Sequence, residues 1–499
     1  MRNCIGIIVC LCLSIACNKD SSPVSENFPN ELLYAKRGEQ AGIYDQEGRY
    51  ILLRGVNYNS LGDYWQGNAA IPTVKPYDKN DFALMASYGF NCVRLIFNWS
   101  ALEPERGKYD RAYIQKIQQA IEDAAQYNIY VLVDMHQDAW GKHIATPKDG
   151  ESCSYPSKGW DGAPLWATIT DSASTCTVNG GRESAPAVYH AFQNFWDNTA
   201  GIQDACISAW AELIKYVAGY SNVVGYDILN EPGLGYKELG GEIVKISQFY
   251  SKCITAFRKA EDDANGYEHI LFFETSITWN GGALPTIPNA DYLKDENLVF
   301  APHNYFESIS YELTIEQGYG LLTTLNALYK THMLIGEWGF FGTTDLDVPK
   351  IKRFAKLEDR YLFGSTWWQW AQAPGDPHGM SWDGLSYDEK SLHLLEIDKN
   401  GNYTGIRNEA YLNVLSRSRP LAIAGSPLSF QSNPDDGTMS LKANKKQQGK
   451  GITRLWIPDR FGTPKVEGTN IGTASTTKVM GGYYLDIPVQ GNYKIAINF

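Results

Sequence analysis

Cysteine is scarce in the body of this chain. Of nine in 499 residues, Cys4, Cys10, Cys12 and Cys17 crowd the N-terminal segment, leaving Cys92, Cys153, Cys176, Cys206 and Cys253. No two of these five stand in Cys-x-x-Cys spacing, which argues against a zinc ribbon or a dithiol redox site. Basic charge is short too. Forty-four Lys and Arg against 56 Asp and Glu give a net charge of −12, so neither a nucleic-acid surface nor a polybasic membrane patch is expected. The N-terminal apolar run, residues 5–16, is too short to span a bilayer. A Gly-rich phosphate turn is missing as well. The first strand-like run ends Arg54-Gly55-Val56-Asn57, which speaks against a doubly wound nucleotide-binding sheet.

What is present is aromatic. Fourteen Trp and 31 Tyr suit sugar-binding clefts, whose rings serve as stacking platforms, and large cores alike. The length exceeds one compact core and predicts two domains. Arg2 before the run 5–16, then Leu13-Ser14-Ile15-Ala16-Cys17, reads as a signal peptide. It resembles a bacterial lipoprotein signal, which implies lipidation at Cys17, a flexible tether over 18–35 and a membrane-anchored envelope location. In an oxidising compartment Cys153 and Cys176, which flank one polar loop, are a candidate disulfide.

From about residue 40 to 415, apolar runs alternate with helical patterns. The runs are 51–57, 90–97, 129–135, 223–229, 269–274, 298–302, 332–335 and 362–370. Between the second and third, Ile114, Ile117, Ile121, Ala124 and Ala125 mark one helix face. Ile207, Trp210, Leu213, Ile214 and Val217 do so before the fourth. Eight buried strands with helical crossovers predict an α/β fold, a (β/α)₈ barrel over 36–417. The long aromatic connection 137–198 leaves the catalytic face and predicts a cap over the cleft. Beyond Arg419-Pro420, short alternating runs separated by Gly, Pro, Asn and Asp predict a small antiparallel β-sandwich over 418–499.

Two strings carry the chemistry. Leu229-Asn230-Glu231-Pro232 and Ile335-Gly336-Glu337-Trp338-Gly339 each place a glutamate after a strand-like run. Glycosidic hydrolysis takes one carboxyl group to protonate the leaving oxygen and another to attack the anomeric carbon or activate water. In a barrel, catalytic residues gather at the C-terminal strand ends. Arg94, His136, Asp138, Asn230, Glu231, His303, Tyr305, Glu337, Trp368 and Trp370 all fall at or near such ends. Alternation along a strand puts Trp368 and Trp370, rather than Trp367, on the cleft side. Glu274, ending the fifth run, reads as structural. Two carboxyl groups suffice for this reaction, so no metal and no organic cofactor is expected.

This constellation resembles glycoside hydrolase family 5, barrel enzymes that act with retention. The resemblance implies that Glu231 is the acid/base and Glu337 the nucleophile, that Asn230 holds the sugar 2-hydroxyl, and that His136, His303 and Tyr305 complete the sugar site. Arg94 with a tyrosine hydroxyl would keep the nucleophile ionised, and burial beside a second carboxylate would keep the acid protonated. Asp134-Met135-His136-Gln137-Asp138, Phe272-Phe273-Glu274, Ala301-Pro302-His303 and the tail motifs Ser418-Arg419-Pro420 and Leu455-Trp456-Ile457-Pro458 resemble the family's endoglycoceramidase group, with Asp138 a sugar contact. Where many relatives carry a lysine after the first strand, Asn57-Tyr58-Asn59-Ser60 stand here. The implied substrate is a glycosphingolipid, cleaved between glycan and ceramide, with no protein partner required. The rivals are a β-glucosidase or endo-β-glucanase and, from another class, a non-catalytic glycan-binding lipoprotein.

Overall fold

The computed structural model describes residues 31–146, 153–178, 180–237, 242–279, 288–342, 344–379, 390–446 and 451–499. The signal segment and Cys17 lie outside the described residues. Eight parallel strands close into a barrel in sequence order: β1 (Arg54–Tyr58), β2 (Cys92–Phe97), β3 (Tyr130–Met135), β4 (Val223–Asp227), β5 (Ile270–Phe273), β6 (Leu298–Phe300), β7 (His332–Trp338) and β8 (Gly364–Trp367). Pairing of Ser365 with Arg54 closes the ring. These strands read as unbroken apolar runs because both faces are covered, one by the barrel interior and one by helices.

The helices form for local reasons. Helix Arg111–Ala125 starts where the Asp110 side chain accepts the N–H groups of Ala112 and Tyr113, at 2.8 and 3.1 Å. Such a cap satisfies two of the orphan donors at a helix start. Its buried face holds Ile114, Ile117, Ile121, Ala124 and Ala125. Helix Ile202–Val217 buries Ile207, Trp210, Leu213, Ile214 and Val217. No helix among the described residues is long and apolar enough to cross a membrane.

The region after the barrel is antiparallel and built around the 17-residue strand Gly482–Asn498. Its first half pairs with Gly451–Pro458 and its second half with Met439–Lys445. Leu441, Leu455, Ile457, Leu485, Ile487 and Ile495 form the core of this unit. The expected boundary at residue 36 needs correction. Strands Tyr34–Lys36, Gly42–Tyr44 and Tyr50–Ile51 belong to the same sheet, joined by the pairing of Ile51 with Ala422. The run 51–57 is therefore two strands in two sheets, divided at Leu52-Leu53. The seam is ionic: Arg417 lies 2.7 Å from both Glu358 and Asp359, and Arg54 lies 2.8 Å from Asp359, all buried.

Candidate active site

The floor of the site is Arg94, in the middle of β2 and fully buried. Its guanidinium touches Asp227 at 2.8 Å, Asp134 at 2.9 Å, Glu274 at 3.1 Å and Glu337 at 2.7 Å. One cation thus serves four carboxylates from four strand ends. Burial and the neighbouring Glu274 push the Asp227 carboxyl well above the ordinary range, even against Arg94. A proton kept there lowers the net charge that the barrel must hold. Asn230 Oδ1 accepts from Arg94 at 2.9 Å, which fixes the side chain beside Glu231.

Glu231 has a left-handed backbone, with φ of 38°, a conformation that costs a non-glycine residue about 1–3 kcal/mol. Surrounding hydrogen bonds impose it. The Glu231 N–H donates to Glu274 Oε2 at 2.9 Å, and Gln137 Nε2 donates to its carbonyl at 2.8 Å. Its carboxylate is thereby turned toward β7. There Glu337 Oε1 receives Arg94 and its Oε2 accepts the Tyr305 hydroxyl at 2.9 Å. His303 Nδ1 lies between the two glutamates, 2.8 Å from Glu231 and 3.4 Å from Glu337.

The protonation pattern differs from the expected one. Burial raises Glu337 above the usual carboxylate range, against the pull of His303 and Arg94. Burial would raise Glu231 as well, but His303 and Arg182 outweigh it and hold this carboxyl low. His303, although buried, is lifted well above the ordinary imidazole range by Glu274 and Glu337. The imidazole and the Glu337 carboxyl are thus both pushed toward holding a proton, and Glu231 toward giving one up.

A cavity of about 1030 Å³ opens over both glutamates. Asp138, Tyr305 and Trp368 line it, and Trp368 stacks on His136 with ring centres 5.3 Å apart and planes at 15°. His136 is fixed by Asp134 at 2.8 Å. Trp370 is a correction. It is fully buried, meets Phe90 edge-on at 6.5 Å and does not line the cavity. The strand ends at Trp367, so alternation does not carry through 368–370: the N–H of Trp368 turns to Trp338 and that of Trp370 to Asn57.

The insertion after β3 divides its side chains between two tasks. Trp160, Arg182, Glu183 and Tyr189 wall the cavity, whereas Trp140, Phe192, Phe195 and Trp196 pack into the barrel core. Cys153 and Cys176 are joined in a disulfide at its outer part, while Cys92, Cys206 and Cys253 are buried thiols. Sequence reasoning missed Arg182, His378 and Asp161. Arg182 pairs with Asp138 at 2.6 Å and Glu231 at 3.0 Å, and His378 bonds both Asp138 and Asp376. No local pattern marked them.

Among the described residues two groups have donor atoms close enough for a cation, Glu231–His303–Glu337 and His136–Asp138–Asp161–His378. A guanidinium already sits against each, Arg94 on Glu337 and Arg182 on Asp138. These supply positive charge where an ion would.

The model of the cellulase family, glycosyl hydrolase family 5, matches residues 44–374. The chain belongs to this family. It is a glycoside hydrolase of endoglycoceramidase-like type. A crystal structure of endogalactoceramidase shares 36% sequence identity and a TM-score of 0.85, covering 93% of this chain and 99% of that one. Endoglycoceramidase of Cyanea nozakii is 24% identical over 433 residues, 80% of this chain and 79% of the relative. Endo-glycoceramidase II from Rhodococcus sp. shares the fold, with a TM-score of 0.69 at 20% identity over 92% and 99% of the two chains.

Proposed function

We propose that this enzyme hydrolyses the bond between glycan and ceramide in glycosphingolipids and releases the intact glycan with retained configuration. The observation that carries the reading is the carboxylate pair. One carboxylate oxygen of Glu231 and one of Glu337 lie within 4.8 Å of each other, which supports the close spacing of a retaining pair, about 5–5.5 Å. Glu337, fixed by Arg94 and Tyr305, attacks the anomeric carbon. Glu231 protonates the leaving oxygen and then takes a proton from the water that frees the glycan. Asn230 holds the 2-hydroxyl, and His136, Asp138 and Trp368 bind the sugars.

The substrate class is supported by the endogalactoceramidase and endoglycoceramidase relatives and by the cavity rim. Ile309 and Phe341 line the cavity while remaining 62% and 47% exposed, an apolar mouth that suits a lipid aglycone. Export and lipidation at Cys17 would tether the enzyme where amphiphilic substrates reach it. Detergent-phase partitioning of the full chain and of Cys17→Ser tests that tether.

The deciding experiment incubates the enzyme with a glycosphingolipid panel beside cellulose and mannan oligomers, resolving intact glycans from monosaccharides. Intact glycan of retained anomeric configuration is expected. Faster cleavage of soluble glucans than of any glycosphingolipid would replace this reading with a glucanase.

A further inference from the structure

The geometry around Arg182 points to a role that the two-carboxylate mechanism does not require. Arg182 lies in a single 3-10 turn, Arg182–Ser184, of the insertion after β3. Its guanidinium lies over the Trp160 ring at 5.0 Å, and its Nε donates to Glu183 at 2.8 Å. One nitrogen, Nη2, reaches both Asp138 Oδ1 at 2.6 Å and Glu231 Oε2 at 3.0 Å. On the other side His303 Nδ1 holds Glu231 Oε1 at 2.8 Å. Both oxygens of this carboxylate are therefore engaged, although one must face the glycosidic oxygen for the group to act as an acid.

We propose that Arg182 is a displaceable latch on the acid/base: it pairs with Glu231 in the empty site, and entry of substrate moves it off Oε2 while its bond to Asp138 remains. The inference rests on the assignment of Glu231 above. It concerns a positioning residue, since Arg182 acts through Glu231 and not on the reacting atoms. Three features make the latch movable rather than built in. Arg182 is 23% exposed at the cavity wall, whereas Arg94 is fully buried. It comes from an insertion rather than from a barrel strand. Its second anchor, Asp138, is itself held by His378, so the guanidinium keeps a partner when Glu231 is released.

The consequence is a coupling of occupancy to the protonation of Glu231. The described charged groups around Glu231 include His303 after β6, Arg182 and Glu183 from the insertion, Asp138 after β3, Glu274 after β5 and Glu337 from β7. A cation leaving a carboxylate at this range raises its pKa by about one unit or more. With Arg182 paired, Glu231 stays ionised and has no proton to give. With sugar seated, the pair opens and the carboxyl, freed of the cation, holds a proton more readily. An empty cleft is then held in an acid-incompetent state.

The test compares pH profiles of wild type, Arg182→Lys and Arg182→Met. The kcat/KM profile reports the free enzyme and the kcat profile reports the loaded one. In Arg182→Met the alkaline limb of kcat/KM is expected to rise by about one pH unit, a tenfold change in the protonation constant, while the alkaline limb of kcat stays at the wild-type position. Arg182→Lys falls between. An unmoved kcat/KM limb, or a kcat limb that moves by the same amount, overturns the latch. A ¹³C-carboxyl NMR titration of ligand-free wild type and Arg182→Met, with Glu231 assigned from Glu231→Gln, needs no turnover. It keeps the pair testable if the glycosidase assignment fails. Repeating it with a thio-linked glycoside bound tests displacement directly, and an unchanged Glu231 titration on binding rejects it. If circular dichroism shows that Arg182→Met is unfolded, Arg182→Gln takes its place, with the same shifts expected and the same results overturning the latch.

Discussion

His303 Nδ1 stands 2.8 Å from Glu231 Oε1 and 3.4 Å from Glu337 Oε2, so a single imidazole touches both glutamates of the cleft. It couples the charge of either carboxylate to that of the other.

The two glutamates are expected to fail differently. Glu337→Gln has no nucleophile, so hydrolysis should vanish with the fold intact by circular dichroism; azide should rescue Glu337→Ala with inverted product. Glu231→Ala should slow substrates with poor leaving groups by roughly 10²–10⁴-fold and spare activated aryl glycosides in the first step. Normal turnover in Glu337→Gln removes that assignment, and equal losses on both substrate types in Glu231→Ala remove the other.

The tryptophans of the 367–370 stretch separate binding from stability. Trp368 stacks on His136 in the cavity, so Trp368→Ala should raise KM for glycans at near-normal melting temperature. Trp370 is core, and Trp370→Ala should cost about 3–5 kcal/mol in denaturant unfolding, with Trp370→Phe costing less and leaving KM unchanged. A reversed pattern would place Trp370 at the sugar.

The contrast between these two rings shows what the sequence made legible. Barrel strands covered on both faces appear as apolar runs, so all eight could be found, and with them the ends that carry Arg94, Glu231 and Glu337. Where such a run outlasts its strand, as at 362–370, periodicity no longer tells which ring faces the cleft. Strands of two or three residues, such as Tyr50–Ile51 paired with Ala422 far along the chain, leave no periodic signal. Arg182 and His378 meet Asp138 only because a long insertion and the loop after β8 converge above the barrel. Their chemistry exists only in the folded molecule.

His378 should make stability fall with rising pH. Burial alone would lower its pKa, but Asp376 and Asp138 lift it from 6.5 to about 9. Below pH 6.5 folded and unfolded chains both hold this proton, and the ion pairs contribute fully. Between 6.5 and 9 only the folded chain keeps it, so stability is lost as pH rises through that window. The fall amounts to at most about 3 kcal/mol. Melting temperatures from pH 6 to 9.5 should decline less steeply in His378→Asn than in wild type; parallel slopes would contradict the pairing.

At the seam, Arg417 bridges Glu358 and Asp359 of helix Thr344–Tyr361, and Ser432 of the terminal sheet donates to Asp359 through its N–H and hydroxyl at 3.1 and 3.0 Å. Removing one partner of a buried pair leaves the other uncompensated, at about 3–5 kcal/mol. Arg417→Met should show that loss in chemical denaturation. Deleting residues 418–499 should do worse, since it also strips the pairing partners of Tyr50 and Ile51. A soluble, active truncated barrel would show the seam to be dispensable.

The cavity mouth supplies the sharpest division between a lipid-cleaving enzyme and a glucanase. Ile309 and Phe341 line the cavity yet stay 62% and 47% exposed. Exposed apolar groups at a cleft mouth mark a ligand or interaction surface. An acyl or sphingoid chain laid against them removes methylenes from water, each worth about 0.8 kcal/mol. Losing two or three such contacts costs about 2 kcal/mol, roughly a thirtyfold change in the transition-state affinity of a lipid substrate. Binding energy from a remote part of the substrate can also orient the scissile bond, so kcat should fall together with affinity. The double variant Ile309→Ser, Phe341→Ser is therefore expected to lose at least about tenfold in kcat/KM on a glycosphingolipid. It should lose much less on an aryl glycoside of the same sugar, because that leaving group lays no methylene chain against the rim. Measured side by side in one detergent, equal losses on both substrates would mean that the rim supports the fold of the cleft. No loss on either would mean that the lipid leaves by another path.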